Sequence, residues 1–218
     1  MEWTILTVLP EEARRDLLSR ARRRRFRKGE VVFHEGDPGD ALHLVDKGHL
    51  VVQRSTPLGD MATVRALGPG DVFGELAVVA PAPRVATVMA VDPAETLAVH
   101  RDVFDELRSA HPIVDRLLVH ALADEVRRLS ARLLEALYIS SDKRIYLRLL
   151  EMARLFGTAD GGAAIAIPLT QEQLAQMAGT TRPTANRVLR SAEAEGCVRM
   201  TRGRIEVLDL AAVVRHAR

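Results

Sequence analysis

Residues 170–192, TQEQLAQMAGTTRPTANRVLRSA, contain the signals for two short helices joined by a sharp turn. Thr170 and Gln173 form a capping-box pattern, which predicts that the first helix begins directly after Thr170. Gly179 can adopt the positive φ that a sharp turn requires, and Thr181 can cap the second helix. The local signals therefore define both helices and the turn between them.

The small and apolar residues Ala175, Gly179, Ala185 and Val188 have the relative spacing of a helix-turn-helix. The polar face of the second helix offers arginine and asparagine, which can read guanine and adenine in the major groove of double-stranded DNA. A predicted hairpin over residues 198–207 carries further arginines and would form a wing against phosphates. The alternative is a structural helical hairpin with a solvated arginine face. The candidate DNA-binding residues are Thr170, Arg182, Thr184, Asn186, Arg187, Arg190 and Arg202.

Charge and composition agree with a nucleic-acid partner but do not establish one. Residues 141–218 contain 12 basic and 8 acidic residues, whereas residues 1–140 contain 19 and 21. A modestly basic C-terminal segment suits a polyanion. No apolar run approaches the roughly 20 residues of a membrane span. Cys197 is the only cysteine, so no intramolecular disulfide can form, and we expect a cytoplasmic protein.

Residues 26–110 have a different sequence pattern from the C-terminal part of the chain. Short apolar runs such as Leu42–Val45 and Leu50–Val52 alternate with glycine-rich turn signals such as Gly36–Asp40. Short strands at this spacing predict an all-β barrel or sandwich.

A long helix is predicted over residues 112–139, starting near Pro112. Its apolar residues recur in steps of three and four, the pattern of a helix–helix seam. The alternative is a helix packed on its own domain, but a heptad stripe beside many arginines favours a homodimer. The stripe consists of Val119, Leu122, Val126, Leu129, Leu133 and Ala136.

The most specific signal is the pair of segments Phe73-Gly74-Glu75-Leu76-Ala77 and Pro83-Arg84-Val85-Ala86-Thr87. Together they closely resemble the phosphate-binding cassette of cyclic-nucleotide-binding domains. With a long helix and a winged helix-turn-helix behind it, the chain resembles the CRP/FNR family of transcription regulators over nearly its whole length.

The resemblance implies a ligand pocket whose chemistry is sound on its own terms. Arg84 can offer a forked donor to a cyclic phosphate, and Glu75 can accept from a ribose hydroxyl. Backbone N–H groups of residues 74–77 can add donors if a short helix starts there. Arg84 and Glu75 are expected to restrain each other in the empty pocket, although a structural ion pair in a domain without a ligand is the alternative. The candidate ligand-binding residues are Gly74, Glu75, Leu76, Ala77, Arg84, Val85, Leu129 and Ser130.

Three departures from the family pattern bear on specificity. Val85 stands where some members have a hydroxyl that favours cyclic GMP, so its presence favours cyclic AMP. The family's adenine contacts come from a Thr-Ser pair, and Leu129-Ser130 keeps only the serine, which leaves another base or effector open. The recognition helix of the family commonly starts Arg-Glu, whereas Pro183 follows Arg182 here.

The predicted fold class is α+β, with an N-terminal β-roll (a cyclic-nucleotide-binding jelly roll), a long dimerisation helix and a C-terminal winged helix-turn-helix. The expected domains are residues 1–111, 112–140 and 141–218. The expected function is a DNA-binding transcription regulator gated by a cyclic nucleotide, with cyclic AMP favoured, which binds inverted repeats as a homodimer. Its partners would be double-stranded DNA, itself and RNA polymerase, for which Arg22–Arg25 is a candidate contact or else a solvated strand edge.

The alternatives are a regulator of this fold with another effector or none, a DNA-free sensing module, or an enzyme regulated by a cyclic nucleotide. Only about 80 residues follow the predicted long helix, which is below the usual size of a catalytic domain. No nucleophile–base motif is present, and the histidine spacing predicts no metal site. We therefore expect no catalytic residues.

Overall fold

The protein is described by a computed structural model at residues 3, 6–7, 9–57, 59–157 and 164–218. The chain divides into two compact units, residues 1–59 with 67–128 and residues 60–66 with 129–218. Strands and helices are both abundant, so the α+β prediction is confirmed. None of the helices among the described residues combines the length and the apolar character needed to cross a membrane.

The N-terminal half contains eight described strands and the long helix. The strands are β1 (Arg22–Phe26), β2 (Val31–Phe33), β3 (Ala41–Lys47), β4 (Leu50–Ser55), β5 (Met61–Leu67), β6 (Val72–Phe73), β7 (Thr87–Ala90) and β8 (Ala94–His100). The helices are α1 (Glu11–Arg20), α2 (Glu75–Val79), α3 (Arg101–Ala110) and α4 (Ile113–Tyr138).

The strands form two four-stranded sheets, in the orders β1-β8-β3-β6 and β2-β7-β4-β5. One core lies between the sheets because residues from both are buried together, among them Phe26, Leu50, Phe73 and Val88. The predicted β-roll is therefore confirmed. β1 lies at an edge of the first sheet, so Arg22–Arg25 form the solvated strand edge that the sequence allowed.

The outer face of the first sheet is covered by helices. Leu17 of α1, Phe104 of α3 and Val114 of α4 are buried in one cluster with Leu42 and other strand residues. Trp3, the only tryptophan, packs in the same cluster. Its indole Nε1 donates to the Val45 carbonyl at 2.8 Å. This packing fixes the start of α4 against the sheet.

The predicted long helix is confirmed as α4, which begins directly after Pro112 and runs without a break for 26 residues. Its apolar stripe is not covered by the rest of the described chain. Val119, Val126, Leu129 and Leu133 keep between 53% and 64% of their surface exposed. Four large apolar side chains therefore lie exposed in one row on the helix surface.

The second unit is built around helix α5. Its elements are α5 (Ser141–Phe156), β9 (Ile165–Ile167), α6 (Gln171–Met177), α7 (Arg182–Ala194), β10 (Val198–Thr201), β11 (Arg204–Val207) and α8 (Leu210–Ala217). Ile145 and Leu149 of α5 are fully buried in its core. The hairpin formed by β10 and β11 has the predicted bounds, and β9 adds a third strand in the order β10-β11-β9.

Candidate functional site

A glycine turn begins the first candidate site. Strand β6 ends at Phe73, and Gly74 then adopts φ +77° as the cap of the short helix α2. A Cβ at Gly74 would lie 2.6 Å from Nη1 of Arg84, so only glycine permits this close approach. The short helix therefore starts where the cassette requires, and its first backbone N–H groups are not used within the helix.

Arg84 is 5% exposed and is held by backbone oxygens. Nη1 donates to the Gly74 carbonyl at 2.9 Å, and Nη2 donates to the Ala41 carbonyl at 2.7 Å. The guanidinium carbon lies 4.2 Å from the centre of the Phe33 ring, a cation–π contact. Nε of Arg84 is buried without a hydrogen-bond partner among the described residues. The side chain is thus fixed in position while part of its donor capacity stays unused.

The charge of Arg84 is only loosely compensated. Its ion pair with Asp40 is long, 3.7 Å between Nη2 and Oδ1. Burial lowers the pKa of Arg84, Asp40 and Asp37 raise it, and the nearby Arg101 lowers it again. Glu75 adds a smaller favourable electrostatic interaction, so the expected restraint of Arg84 comes mainly from the carbonyls and the Phe33 ring. A buried cation in such surroundings favours the binding of an anion.

The other candidate ligand residues of this unit differ in their exposure to solvent. Leu76 and Val85 are exposed, and Ala77 is buried. The Ala77 carbonyl accepts from Nη2 of Arg101 at 2.5 Å, and this contact anchors α2 to the start of α3. Leu129 and Ser130 are exposed on α4 and belong to the second unit.

His43 is a buried neighbour of this site that the motif did not single out. Its ring stacks on Phe73 with centroids 4.9 Å apart, and its Nδ1 lies 3.1 Å from Oγ1 of Thr96. Burial, followed by the positive charges of Arg84 and Arg24, lowers the pKa of His43 to about 3, against a weak opposite effect of Asp40. The ring is therefore neutral at physiological pH.

We expect the neutral His43 to make the first unit sensitive to mild acid. The unfolded chain binds a proton below pH about 6.5, whereas the folded chain does not until pH about 3. The free energy of unfolding therefore falls as the pH drops below about 6.5. The His43 ring should lower it by about 2 kcal/mol between pH 7.5 and pH 5. Denaturant unfolding followed by Trp3 fluorescence at both values should show the loss. His43→Gln should reduce it, and an identical pH dependence in both proteins would contradict the assignment.

The second candidate site confirms the predicted local signals. Thr170 and Gln173 form the complete capping box, and Thr181 caps α7 by accepting from the Thr184 backbone N–H. Gly179 has φ +60° in the turn. α6 and α7 cross at small side chains, because Ala175 and Ala185 are fully buried there.

The polar face of α7 carries the predicted residues, and several of them have partners within the chain. Arg182, Arg187 and Arg190 are exposed, whereas Thr184 and Asn186 are half-buried. Nδ2 of Asn186 donates to Oε1 of Gln171 at 2.8 Å. Nη2 of Arg187 pairs with Asp142 at 2.5 Å, and Nη1 of Arg190 lies 3.6 Å from Glu193. Asn186 is thus oriented by α6, a contact that the sequence pattern did not show.

The hairpin of β10 and β11 projects Arg202 at its tip, next to Gly203 with φ +76°. An open cleft of about 400 Å³ separates this hairpin from the starts of α6 and α7. Arg182 and Arg202 line it from opposite sides, together with Thr170. Among the described residues, neither of these arginines has an ion-pair partner, so both can engage an external anion.

Arg144 is a positioning residue that the sequence analysis missed. Its Nε donates to the Ala178 carbonyl at 2.8 Å and its Nη2 to the Gly179 carbonyl at 3.0 Å. Its Nη1 donates to the Ile139 carbonyl at 2.6 Å. One guanidinium thus joins the C-terminal end of α4 to the turn between α6 and α7. All its acceptors are backbone atoms, so no residue pattern could have identified them.

Comparisons with known proteins match both parts of the chain. The cyclic nucleotide-binding domain family matches residues 23–111, and the Crp-like helix-turn-helix domain family matches residues 128–215. A CRP-like cAMP-activated global transcriptional regulator of Mycobacterium tuberculosis (strain CDC 1551 / Oshkosh) is 31% identical, over 88% of this chain and 87% of its own. The cyclic AMP receptor protein of Thermus thermophilus is 34% identical, over 94% of this chain and 91% of its own.

Solved structures show the same architecture. The Thermus thermophilus catabolite activator protein is 31% identical, with a TM-score of 0.56 over 98% of this chain and 97% of its own. FixK2 from Bradyrhizobium japonicum, 21% identical, supports the fold alone, with a TM-score of 0.75 over 91% of this chain and 98% of its own. With a cyclic nucleotide-binding domain and a DNA-binding helix-turn-helix in one chain, this protein belongs to the CRP/FNR family of transcription regulators and is not an enzyme.

Proposed function

We propose that this regulator is gated by a cyclic nucleotide and binds inverted-repeat DNA sites as a homodimer. The observation that carries the proposal is the buried Arg84 guanidinium, which is held by two carbonyls while its Nε has no described partner. A cyclic phosphate would supply the missing anionic acceptor. Glu75 and the first N–H groups of α2 lie on the adjoining segment and would bind the ribose and the phosphate.

Cyclic AMP is the effector that we favour. The relatives from Mycobacterium tuberculosis and Thermus thermophilus are named for cyclic AMP, and Val85 offers no hydroxyl to guanine. Ser130 would contact the base by hydrogen bonding, and Leu129 only by apolar packing. Gly74, Leu76 and Ala77 would complete the pocket.

Calorimetry of the purified protein with cyclic AMP, cyclic GMP and cyclic di-GMP tests the effector directly. The proposal expects saturable binding, tightest for cyclic AMP. Binding of none of the three would overturn cyclic-nucleotide gating and would favour a regulator with another effector or none. The DNA-binding function would be unaffected by that result, because it depends on the second unit.

The homodimer is proposed from the exposed apolar stripe of α4. Two such stripes packed along a two-fold axis would cover these side chains and present two copies of α7 to the same side of a duplex. Successive major grooves would then place the half-site centres about 34 Å apart.

We further propose the domain boundaries 1–111, 112–140 and 141–218, a cytoplasmic location, and contact with RNA polymerase when bound at promoters.

We expect Arg182 and Arg202 to contribute to DNA binding in different ways. Arg182, at the start of α7, would read guanine, so Arg182→Ala should cost roughly 1–3 kcal/mol and flatten the preference at one base pair per half-site. Arg202 at the wing tip would contact phosphate, so Arg202→Ala should weaken all sequences about equally. Arg187 would read a second guanine. Pro183 offers no acceptor to cytosine, so the base preference at the base pair that faces it should be weak.

In vitro selection of duplexes with the parent protein, Arg182→Ala and Arg202→Ala measures the sequence preference, and titration of one fixed duplex measures the affinity. An inverted repeat whose preference changes only with Arg182→Ala would support the assignment of the reading face. A motif without two-fold symmetry, or one that Arg182→Ala leaves unchanged, would place the reading face elsewhere.

A further inference from the structure

Three side chains that can bind a metal ion meet in the second unit, and none of them is among the residues assigned to DNA. Donor atoms of Glu195, Cys197 and His216 all lie within 4.8 Å of one another. Glu195 caps the C-terminal end of α7, Cys197 directly precedes β10, and His216 lies in the last turn of α8. Histidine spacing could not reveal this group, because its members come from three different elements.

The group is held in place by contacts on both sides. The His216 ring stacks on Tyr146, with centroids 4.6 Å apart and planes 16° from parallel. Its Nε2 lies 2.9 Å from Oε2 of Glu195. Gly196 has φ +74°, which allows the tight turn between Glu195 and Cys197. The ring of His216 is thus oriented before any ion arrives.

Cys197 forms the closed side of the group. Its backbone N–H donates to the Ala192 carbonyl at 2.8 Å, and its own carbonyl accepts from the Leu208 and Asp209 N–H groups. The residue is 2% exposed, whereas Glu195 and His216 are exposed to solvent. An ion can therefore approach from the solvent side and meet the sulfur at the base.

We propose that Glu195, Cys197 and His216 bind a Zn²⁺ ion. Carboxylate, thiolate and imidazole are the ligands that zinc prefers, and three protein ligands leave the fourth tetrahedral position to water. Tetrahedral zinc bonds place such donor atoms roughly 3.3–3.6 Å apart, so small side-chain rotations suffice to close the site.

Zinc at this position would cross-link three parts of the DNA-binding unit. It would join the end of the recognition helix α7 to the base of the wing and to α8. An ion that binds the folded chain and not the unfolded one raises stability by mass action. The metal would therefore stabilise the presented position of α7 independently of the cyclic nucleotide.

Titration of the full chain with Zn²⁺ and with Co²⁺ as a spectroscopic probe tests the proposal. We expect one ion per chain, a thiolate-to-cobalt charge-transfer absorption, and a higher melting temperature in Zn²⁺. His216→Gln, on the exposed side, should leave the fold intact and lower the zinc affinity by at least about 100-fold. Cys197→Ser should remove the charge-transfer band, and His120→Gln on α4 is the matched control.

Absence of the charge-transfer band and of one-to-one zinc binding in the parent protein would overturn the proposal. Equal zinc affinity of the parent and His216→Gln would overturn it as well, because it would mean that the ion binds elsewhere. Folding of His216→Gln, Cys197→Ser and His120→Gln is checked by circular dichroism. None of these outcomes depends on cyclic-nucleotide binding.

Discussion

Arg84→Leu is expected to lower the affinity for cyclic AMP by roughly 30- to 1000-fold. The substitution removes charge-assisted hydrogen bonds to the phosphate that are worth about 2–4 kcal/mol. Leucine fills the apolar volume beside Phe33, so the β-roll should stay folded. Calorimetry measures the affinity, and circular dichroism and Trp3 fluorescence report the fold.

Two matched variants sharpen this test. Arg15→Leu on α1 removes an exposed arginine that pairs with Glu11, and should leave the affinity unchanged. Arg84→Lys keeps the charge but not the forked donor. Its affinity for cyclic AMP should therefore lie between that of the parent and that of Arg84→Leu. If Arg84→Leu binds cyclic AMP as tightly as the parent does, the phosphate lies elsewhere and Arg84 is structural.

Leu129→Asp and Leu133→Asp are each expected to shift the protein from dimer to monomer. Covering the exposed half of one leucine contributes about 1–2 kcal/mol, and each substitution acts twice in a two-fold seam. The dimerisation constant should fall by roughly 30- to 1000-fold, before the repulsion of facing carboxylates is added. Sedimentation velocity over a concentration series measures the change.

Ala131→Asp is the control for the seam. Ala131 is exposed on the same helix but lies on the opposite side from the apolar stripe, so its carboxylate should leave the dimer intact. Leu129 is a candidate ligand residue, whereas Leu133 is not. Loss of the dimer in Leu133→Asp therefore cannot result from a lost contact with the effector. An unchanged dimer for both leucine variants would show that α4 is not the interface.

The parts of the fold that could be predicted are those with local signals. The caps of α6 and α7, the glycine turn between them and the wing hairpin depend on neighbouring residues, and each was located within a few positions. Pro112 and the three-four periodicity likewise gave α4. β9 was not predicted, because its three residues carry no alternation and it is a strand only through pairing with β11.

The same distinction applies to the sites. The cassette indicated Arg84 and Gly74, which lie in contact, but not the Ala41 carbonyl or the Phe33 ring, which come from distant strands. The pairing of Arg187 with Asp142 joins residues 45 positions apart and follows from the packing of α5. Such contacts arise from tertiary structure, so one sequence without its fold cannot reveal them.

The ion pairs on the basic face have a consequence for how DNA binding responds to ionic strength. A protein that neutralises phosphates normally releases the cations condensed on the duplex, which makes its affinity fall steeply with salt. Arg187, Arg190 and Arg204 already carry carboxylates of their own chain as tethered counterions. When these arginines move to DNA, the freed carboxylates take up cations and offset part of the release. The affinity should therefore depend less on salt than the number of arginines suggests, and the regulator should hold its sites over a wider range of cellular ionic conditions.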